Sequence, residues 1–313
     1  MKRLELFFLI ICFGFAQENP VDKIKQASEE ILKSYTQPLI NTFGILTNTS
    51  LFHSAYSHKI LGFDLSLKLS YSPIPQKAKF FSDSVLACSL NPNTGELNYF
   101  KVYVESTPTI FGPSTPTTVA VPPNVVAIPK VLPGGLNLPG LPYIMPQLNI
   151  GLILGSELTL RYIPLPFKGV SVLIYGVGLK ENLNQFGPFK KLPVKLALGG
   201  AYQVFSIGEI VKSSNLSFQA IASKRLLIFE PTVGLGYEKT KVNFNYQFKY
   251  KVPAPPPVNE KEVTEEIKVS FNGENKFRVH LGCALRLGFI FLHLSYEKSL
   301  YDAFSLTSGI TIR

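Results

Sequence analysis

The sequence predicts an all-β chain: a transmembrane antiparallel meander β-barrel of about 14 strands, with about 12 as the fallback. Three observations carry that prediction. From Ile60 onward, long runs alternate apolar and polar residues with period two, which puts one whole face of a strand in an apolar medium. The runs reach about 10–15 residues, longer than most globular strands and matched to a tilted crossing of hydrocarbon. The chain also opens with an export signal and holds no apolar stretch long enough for a spanning helix.

Composition narrows the field further. With 46% hydrophobic and 17% charged residues the chain is expected to fold rather than stay disordered. The net charge of +10 could suggest nucleic acid, but Lys and Arg are scattered without a run of five, which argues against a nucleic-acid partner.

Residues 1–16 read as a signal peptide, with Lys2 and Arg3 ahead of the apolar Leu6–Phe13 and small residues at Gly14 and Ala16. Cleavage is expected after Ala16. A lipoprotein modified on Cys12 is disfavoured because Ile11 stands where a small residue is needed. Cys88 and Cys283 then remain, too few to define a disulfide framework. Cys283 falls on an apolar face, which suits an inert buried or lipid-facing thiol.

Residues 17–58 form the N-terminal helix and plug-like segment. Asn19 can cap a helix, Pro20 suits its first turn, and Asp22 favours its N-terminal dipole. Val21, Ile24, Ala27, Ile31 and Tyr35 recur at helical spacing, and the helix is expected to end near Thr36, before Gln37-Pro38. Such a helix either packs on a barrel end or plugs the lumen.

Residues 59–313 are assigned to an outer-membrane β-barrel. Strands are expected near 60–72, 77–85, 96–105, 147–163, 169–180, 192–204, 213–224, 228–238, 240–250, 266–271, 276–288, 289–297 and 303–313. A bacterial single-chain barrel has an even number, so this count has to be adjusted by one. Tyr71, Tyr162, Tyr202, Tyr237 and Tyr296 sit towards strand ends, as in an aromatic girdle. The polar parity places Asp64, Lys68, Glu157, Arg161, Arg278, His280 and Arg286 in the lumen, because a charge on the lipid face costs about 2–4 kcal/mol near the midplane.

Two loops stand out. Residues 106–146 hold ten prolines, so no regular element can run throughout. The apolar residues Val125, Val126, Ile128, Leu136, Leu138, Leu141 and Ile144 suit a lid that packs over the outer mouth and frames its way in. Residues 251–266 combine Pro255-Pro256-Pro257 with a charged run and read as a solvated loop.

No enzyme motif is present: neither Gly-x-Ser-x-Gly nor a Walker loop occurs. His53 and His58 lack metal-ligand spacing. His280 and His293 could serve a barrel hydrolase, but the simpler reading is a polar lumen network. No cofactor is expected. The implied partners are membrane lipid and a hydrophobic small molecule.

The string Ser57-His58-Lys59-Ile60-Leu61-Gly62-Phe63-Asp64-Leu65 resembles a family of bacterial outer-membrane proteins. So do Pro108-Thr109-Ile110-Phe111-Gly112, the Pro-Gly-Gly-Leu at 133–136, and Pro231-Thr232-Val233-Gly234-Leu235-Gly236-Tyr237-Glu238-Lys239. That family looks like a relative of the long-chain fatty-acid channel (FadL-like) barrels. The resemblance implies about 14 strands, an N-terminal segment folded into the lumen, a bacterial outer-membrane location and hydrophobic small-molecule cargo. One departure is the last residue, Arg313, where an aromatic is common. Two functions follow as expectations: a passive channel for hydrophobic small molecules, or a structural or assembly barrel anchoring a surface or secretion partner. A general porin fits less well, because a plug leaves little open water path.

Overall fold

The computed structural model describes residues 20–90, 97–122, 125–128, 131–167, 170–253 and 260–312. The expected signal peptide, its cleavage site, Asn19 and Arg313 lie outside these. The chain divides into two compact units. One holds Ile40–Pro73, Gly140–Phe244 and Ser270–Arg313; the other holds the chain up to Leu39, Ile74–Pro139 and Asn245–Val269.

The first unit is a closed antiparallel barrel. Its wall comprises β1 (Phe63–Pro73), β7 (Gly140–Gly151), β8 (Ser156–Phe167), β9 (Val170–Asn182), β10 (Lys195–Ile207), β11 (Val211–Ser223), β12 (Phe229–Pro253), β14 (Phe277–Leu287), β15 (Ile290–Lys298) and β16 (Asp302–Ile312). Each strand pairs with the next, β16 pairs back onto β1, and β11 meets β12. The ring therefore has ten strands, with β13 (Glu260–Asn272) added beside β12. Closure gives every strand of the ring a neighbour on both sides.

The expected 14 strands, and the fallback of 12, are corrected to ten: the expected strand 266–271 lies in β13, outside the ring, and three further differences complete the change. The strands at 80–90 and 97–108 belong to a separate sheet. The expected strand 147–163 is a hairpin: a turn over 152–155 carries Leu154 and Gly155 at positive φ, 56° and 67°. A four-residue turn preserves parity, so Ile150 faces Leu158 across it and the alternation reads straight through. Finally, the expected strands 228–238 and 240–250 are one strand, β12. The expected solvated loop 251–266 is likewise strand up to Pro253 and again from Glu260.

The barrel is inverted relative to a soluble sandwich. Along β1, Leu65, Leu67 and Leu69 are 45–49% exposed, while Asp64 and Lys68 are 1% exposed. The same holds around the ring, where Leu179, Leu198, Phe218, Leu235, Leu281, Leu294 and Ile310 face out and Lys180, Gln203, Asn215, Glu238, His280, Glu297 and Thr307 face in. Outward aromatics adjoin across strands: Tyr71 pairs with Phe304, which pairs with Tyr296, and Phe218 pairs with Tyr237, which pairs with Phe277. Along β12 the pattern reverses just past Tyr237. Lys239, Lys241 and Asn243 are exposed, whereas Val242 turns inward and is buried. The outer apolar band ends there.

The two rims differ. β1 begins and β16 ends at one rim, the terminal rim, which carries the turns 152–155, 183–194, 224–228 and 288–289. The opposite rim carries the turns 208–210 and 299–301, and from it the chain leaves for 74–139 and 245–269. One seam is short. β7 and β8 pair only from Gln147↔Arg161 to Gly151↔Glu157. Beyond that, Pro142 and Pro146 on β7 and Pro164 and Pro166 on β8 have no N–H to give.

The second unit contains the antiparallel sheet β3–β2–β5, from β2 (Phe80–Leu90), β3 (Leu97–Pro108) and β5 (Val125–Ile128), and the small pair β4 (Thr117–Thr118) and β6 (Val131–Leu132). Ile31, Val85, Val104, Val119 and Leu132 form its core. The proline-rich stretch is thus built into a sheet module rather than left as one loop. Gly135 is needed at a close crossing: a Cβ there would sit 2.3 Å from the Gly112 carbonyl.

The helix α1 spans Pro20–Asn48. Its expected end near Thr36 is corrected, because Pro38 lies inside it. Proline removes one intrahelical hydrogen bond, and the turns beyond it are held by the barrel wall.

Candidate functional site

The lumen is filled by residues 41–58, the last helical turns of α1 and the extended chain after them. Their contacts descend the wall in order. Asn41 donates to Glu274 (3.0 Å), near the rim opposite the termini. Phe43 packs on Phe205 and Tyr143, ring centroids 4.3 and 6.0 Å away. Asn48 reaches Glu238 (3.2 Å) and accepts from Gln203 (3.0 Å). Ser50 meets Thr307 (3.2 Å), and Gln147 donates to the Leu51 carbonyl (3.1 Å). Ser54 bonds Glu230, and the Ala55 amide donates to Ser223 (2.9 Å). At the terminal rim, His58 Nδ1 lies 2.8 Å from Glu157 and its Nε2 3.0 Å from Thr311.

Cations from the wall hold this segment by its backbone. Arg278 donates to the Ile45 carbonyl (2.7 Å) and Arg161 to the Thr47 carbonyl (2.6 Å). Lys68 reaches the Ser50 carbonyl. Lys180 donates to the carbonyls of Ser54 and Tyr56, both at 3.0 Å. A helix C-terminus leaves carbonyls without partners and carries partial negative charge. The last turn of α1 has no basic residue of its own, so Arg161 and Arg278 supply what it lacks.

Buried carboxylates pair with two of these cations, Arg278 and Lys180, and with Arg225 and Arg286 nearby. Arg278 pairs with Glu238 at 2.7 Å and with Glu297. Lys180 pairs with Glu157 at 2.7 Å. Glu230 receives Arg286 at 2.6 Å and Arg225 at 2.9 Å. Asp64 accepts from Asn149 (2.9 Å) and has the His53 and His58 rings at 3.6 Å. Burying any of these ions alone would cost several kcal/mol; pairing offsets that cost. Along β10 and β11 the plug is apolar: Leu51, Phe52 and Ala55 pack with Ala197, Ala201 and Ile221. Gly199 completes the recess, since a Cβ there would lie 2.4 Å from the Phe52 ring.

The sequence-derived candidates fall as follows. Asp64, Lys68, Glu157, Arg161, Arg278 and His280 are buried on the inner wall, and half-buried Arg286 joins Glu230. The lid candidates are divided between the two units. Leu141 and Ile144 lie on the barrel strand β7, Ile144 facing out. Val125 and Ile128 lie on β5, beside β2. Leu136 is exposed and Leu138 half-buried in the second unit. Sequence reasoning missed Lys180, Glu230, Glu238 and Glu297. Strand parity could have found the two glutamates of β12, because Phe229, Val233, Leu235 and Tyr237 already mark its outer face. Among the described residues, no group of three or more His, Cys, Asp or Glu could hold a metal ion.

A family model described as "Family of unknown function (DUF6588)" matches residues 1–312. The chain belongs to that family. No curated protein matches this member. It is similar to a bacterial polysaccharide outer membrane secretin at 9% identity and TM-score 0.28, over 82% of this chain and 100% of that one. It is similar to the β-domain of the Bordetella autotransporter BrkA at 10% identity and TM-score 0.27, over 81% and 99%. A porin of Rh. blastica follows at 8% identity and TM-score 0.16, over 80% and 100%.

Proposed function

We propose that the chain is a bacterial outer-membrane barrel sealed by its own N-terminal segment, and that it works as a membrane anchor for what leaves its long-loop rim. One observation carries the reading. Residues 41–58 occupy the lumen and are tied to the wall through their backbone carbonyls by Arg161, Arg278, Lys68 and Lys180. A wall of ten strands leaves little width beyond such a segment. The apolar exterior and the closed ring support a bilayer location. Reconstitution in planar bilayers tests it. The protein should show no steady conductance, whereas Arg161→Ala with Arg278→Ala should leak. Steady conductance of the unaltered protein would refute the seal.

A second reading is favoured by the short β7–β8 seam. A passive channel for hydrophobic small molecules would need a path that avoids the polar, filled lumen, and the unpaired upper seam offers one through the wall. Uptake of an apolar dye should then fall when the seam is cross-linked. Uptake unchanged by the cross-link would leave only the anchor.

A further inference from the structure

We infer that residues 20–39, which lead into the plug, stand on the outer side of the membrane, so that this barrel holds its N-terminal helix at the cell surface. The inference rests on the outer-membrane reading and adds a topology to it. Its first support is the direction of the plug. Asn41 meets Glu274 beside the start of β14, where the chain returns from 245–269. Gly44 lies against Thr240 and Asn275 at the same level. Ser50 lies midway, at Thr307, and His58 ends at Glu157 and Thr311, one residue from the ends of β8 and β16. The chain then turns through Gly62, whose carbonyl accepts from Gly151 (2.8 Å), and begins β1. The lumen is crossed once, from the long-loop rim to the terminal rim.

The second support is the contrast between the rims. Outer-membrane barrels keep short turns on the periplasmic side and long excursions outside. Here the described turns of the terminal rim are 152–155, 183–194, 224–228 and 288–289, while 74–139 and 245–269 leave from the other. The terminal rim is therefore periplasmic, and the segment that feeds the plug enters from outside. Residues 20–39 standing in the periplasm would need the chain to cross the membrane once more, and residues 41–58 already fill the lumen. Assembly must then close the wall around a segment already carried across. Residues 20–39 would then be displayed.

Cysteine accessibility in intact cells tests this on the full chain with Cys12, Cys88 and Cys283 replaced. Lys33 on α1 and Lys190 in the turn 183–194 are both exposed. Lys33→Cys should react with a membrane-impermeant maleimide in intact cells as fully as after lysis. Lys190→Cys should react only after lysis. The inference is overturned if Lys190→Cys labels in intact cells or Lys33→Cys is protected until lysis. Fractionation of the same samples separates the two levels. Reversed labelling with the protein in the outer membrane sinks the topology alone, whereas recovery without detergent sinks the barrel reading with it.

Discussion

Arg278 is the residue on which the lumen network converges. It pairs with Glu238 and Glu297 and donates to the Ile45 carbonyl, all out of contact with water. Removing it leaves two buried carboxylates without a cation and a helix end without its donor. Arg278→Met should therefore destabilise the folded barrel by about 3–5 kcal/mol in urea titrations in lipid or detergent, the scale seen when a buried pair is broken. Adding Glu238→Gln and Glu297→Gln should recover most of that loss, because neutral amides need no counter-charge. A single variant as stable as the parent would mean that the pairs are not buried together. The outer face makes the complementary prediction. Leu67→Lys should cost about 2–4 kcal/mol if that position faces hydrocarbon near the midplane, and an unchanged stability would move it out of the apolar band.

At the scale of elements, the plug depends on small residues in β10. Ala197, Gly199 and Ala201 leave the recess that Phe52 fills. Gly199→Leu should displace the plug and lower stability by about 1–3 kcal/mol, as overpacking does. Pairing it with Phe52→Ala should restore part of the loss, and strict additivity of the two changes would exclude the contact. These elements also mark what the sequence could say. Alternation identifies β1, β9, β10, β11, β14, β15 and β16 to within a few residues, because one face of each is mostly apolar. It did not show which strands share a sheet, so β2 and β3 were counted in the wall. It divides β12 between 228–238 and 240–250 because the apolar parity flips there. That flip marks the strand leaving the apolar band, as exposed Lys239 and Lys241 beside buried Val242 make plain. The helix was ended too early for a related reason. Local rules stop it at Pro38, and the donors that sustain it come from Arg161 and Arg278, far away in sequence.

At the scale of the whole molecule the barrel closes twice, once by pairing β16 with β1 and once by filling its lumen with residues 41–58. The charged lumen residues were legible from parity, but their use was not: most of them hold the plug, which no periodicity reveals. The plug itself can be trapped directly. Ser50 and Thr307 lie with their hydroxyl oxygens 3.2 Å apart, one on the plug and one on the wall. With the native cysteines replaced, Ser50→Cys with Thr307→Cys should form a disulfide in the assembled protein, seen as a mobility shift on a non-reducing gel. Ser50→Cys with Leu306→Cys, whose side chain faces away from the lumen, should not. Efficient cross-linking of the first pair alone is the predicted result, and a folded barrel in which Ser50→Cys and Thr307→Cys stay reduced under oxidising conditions would contradict it.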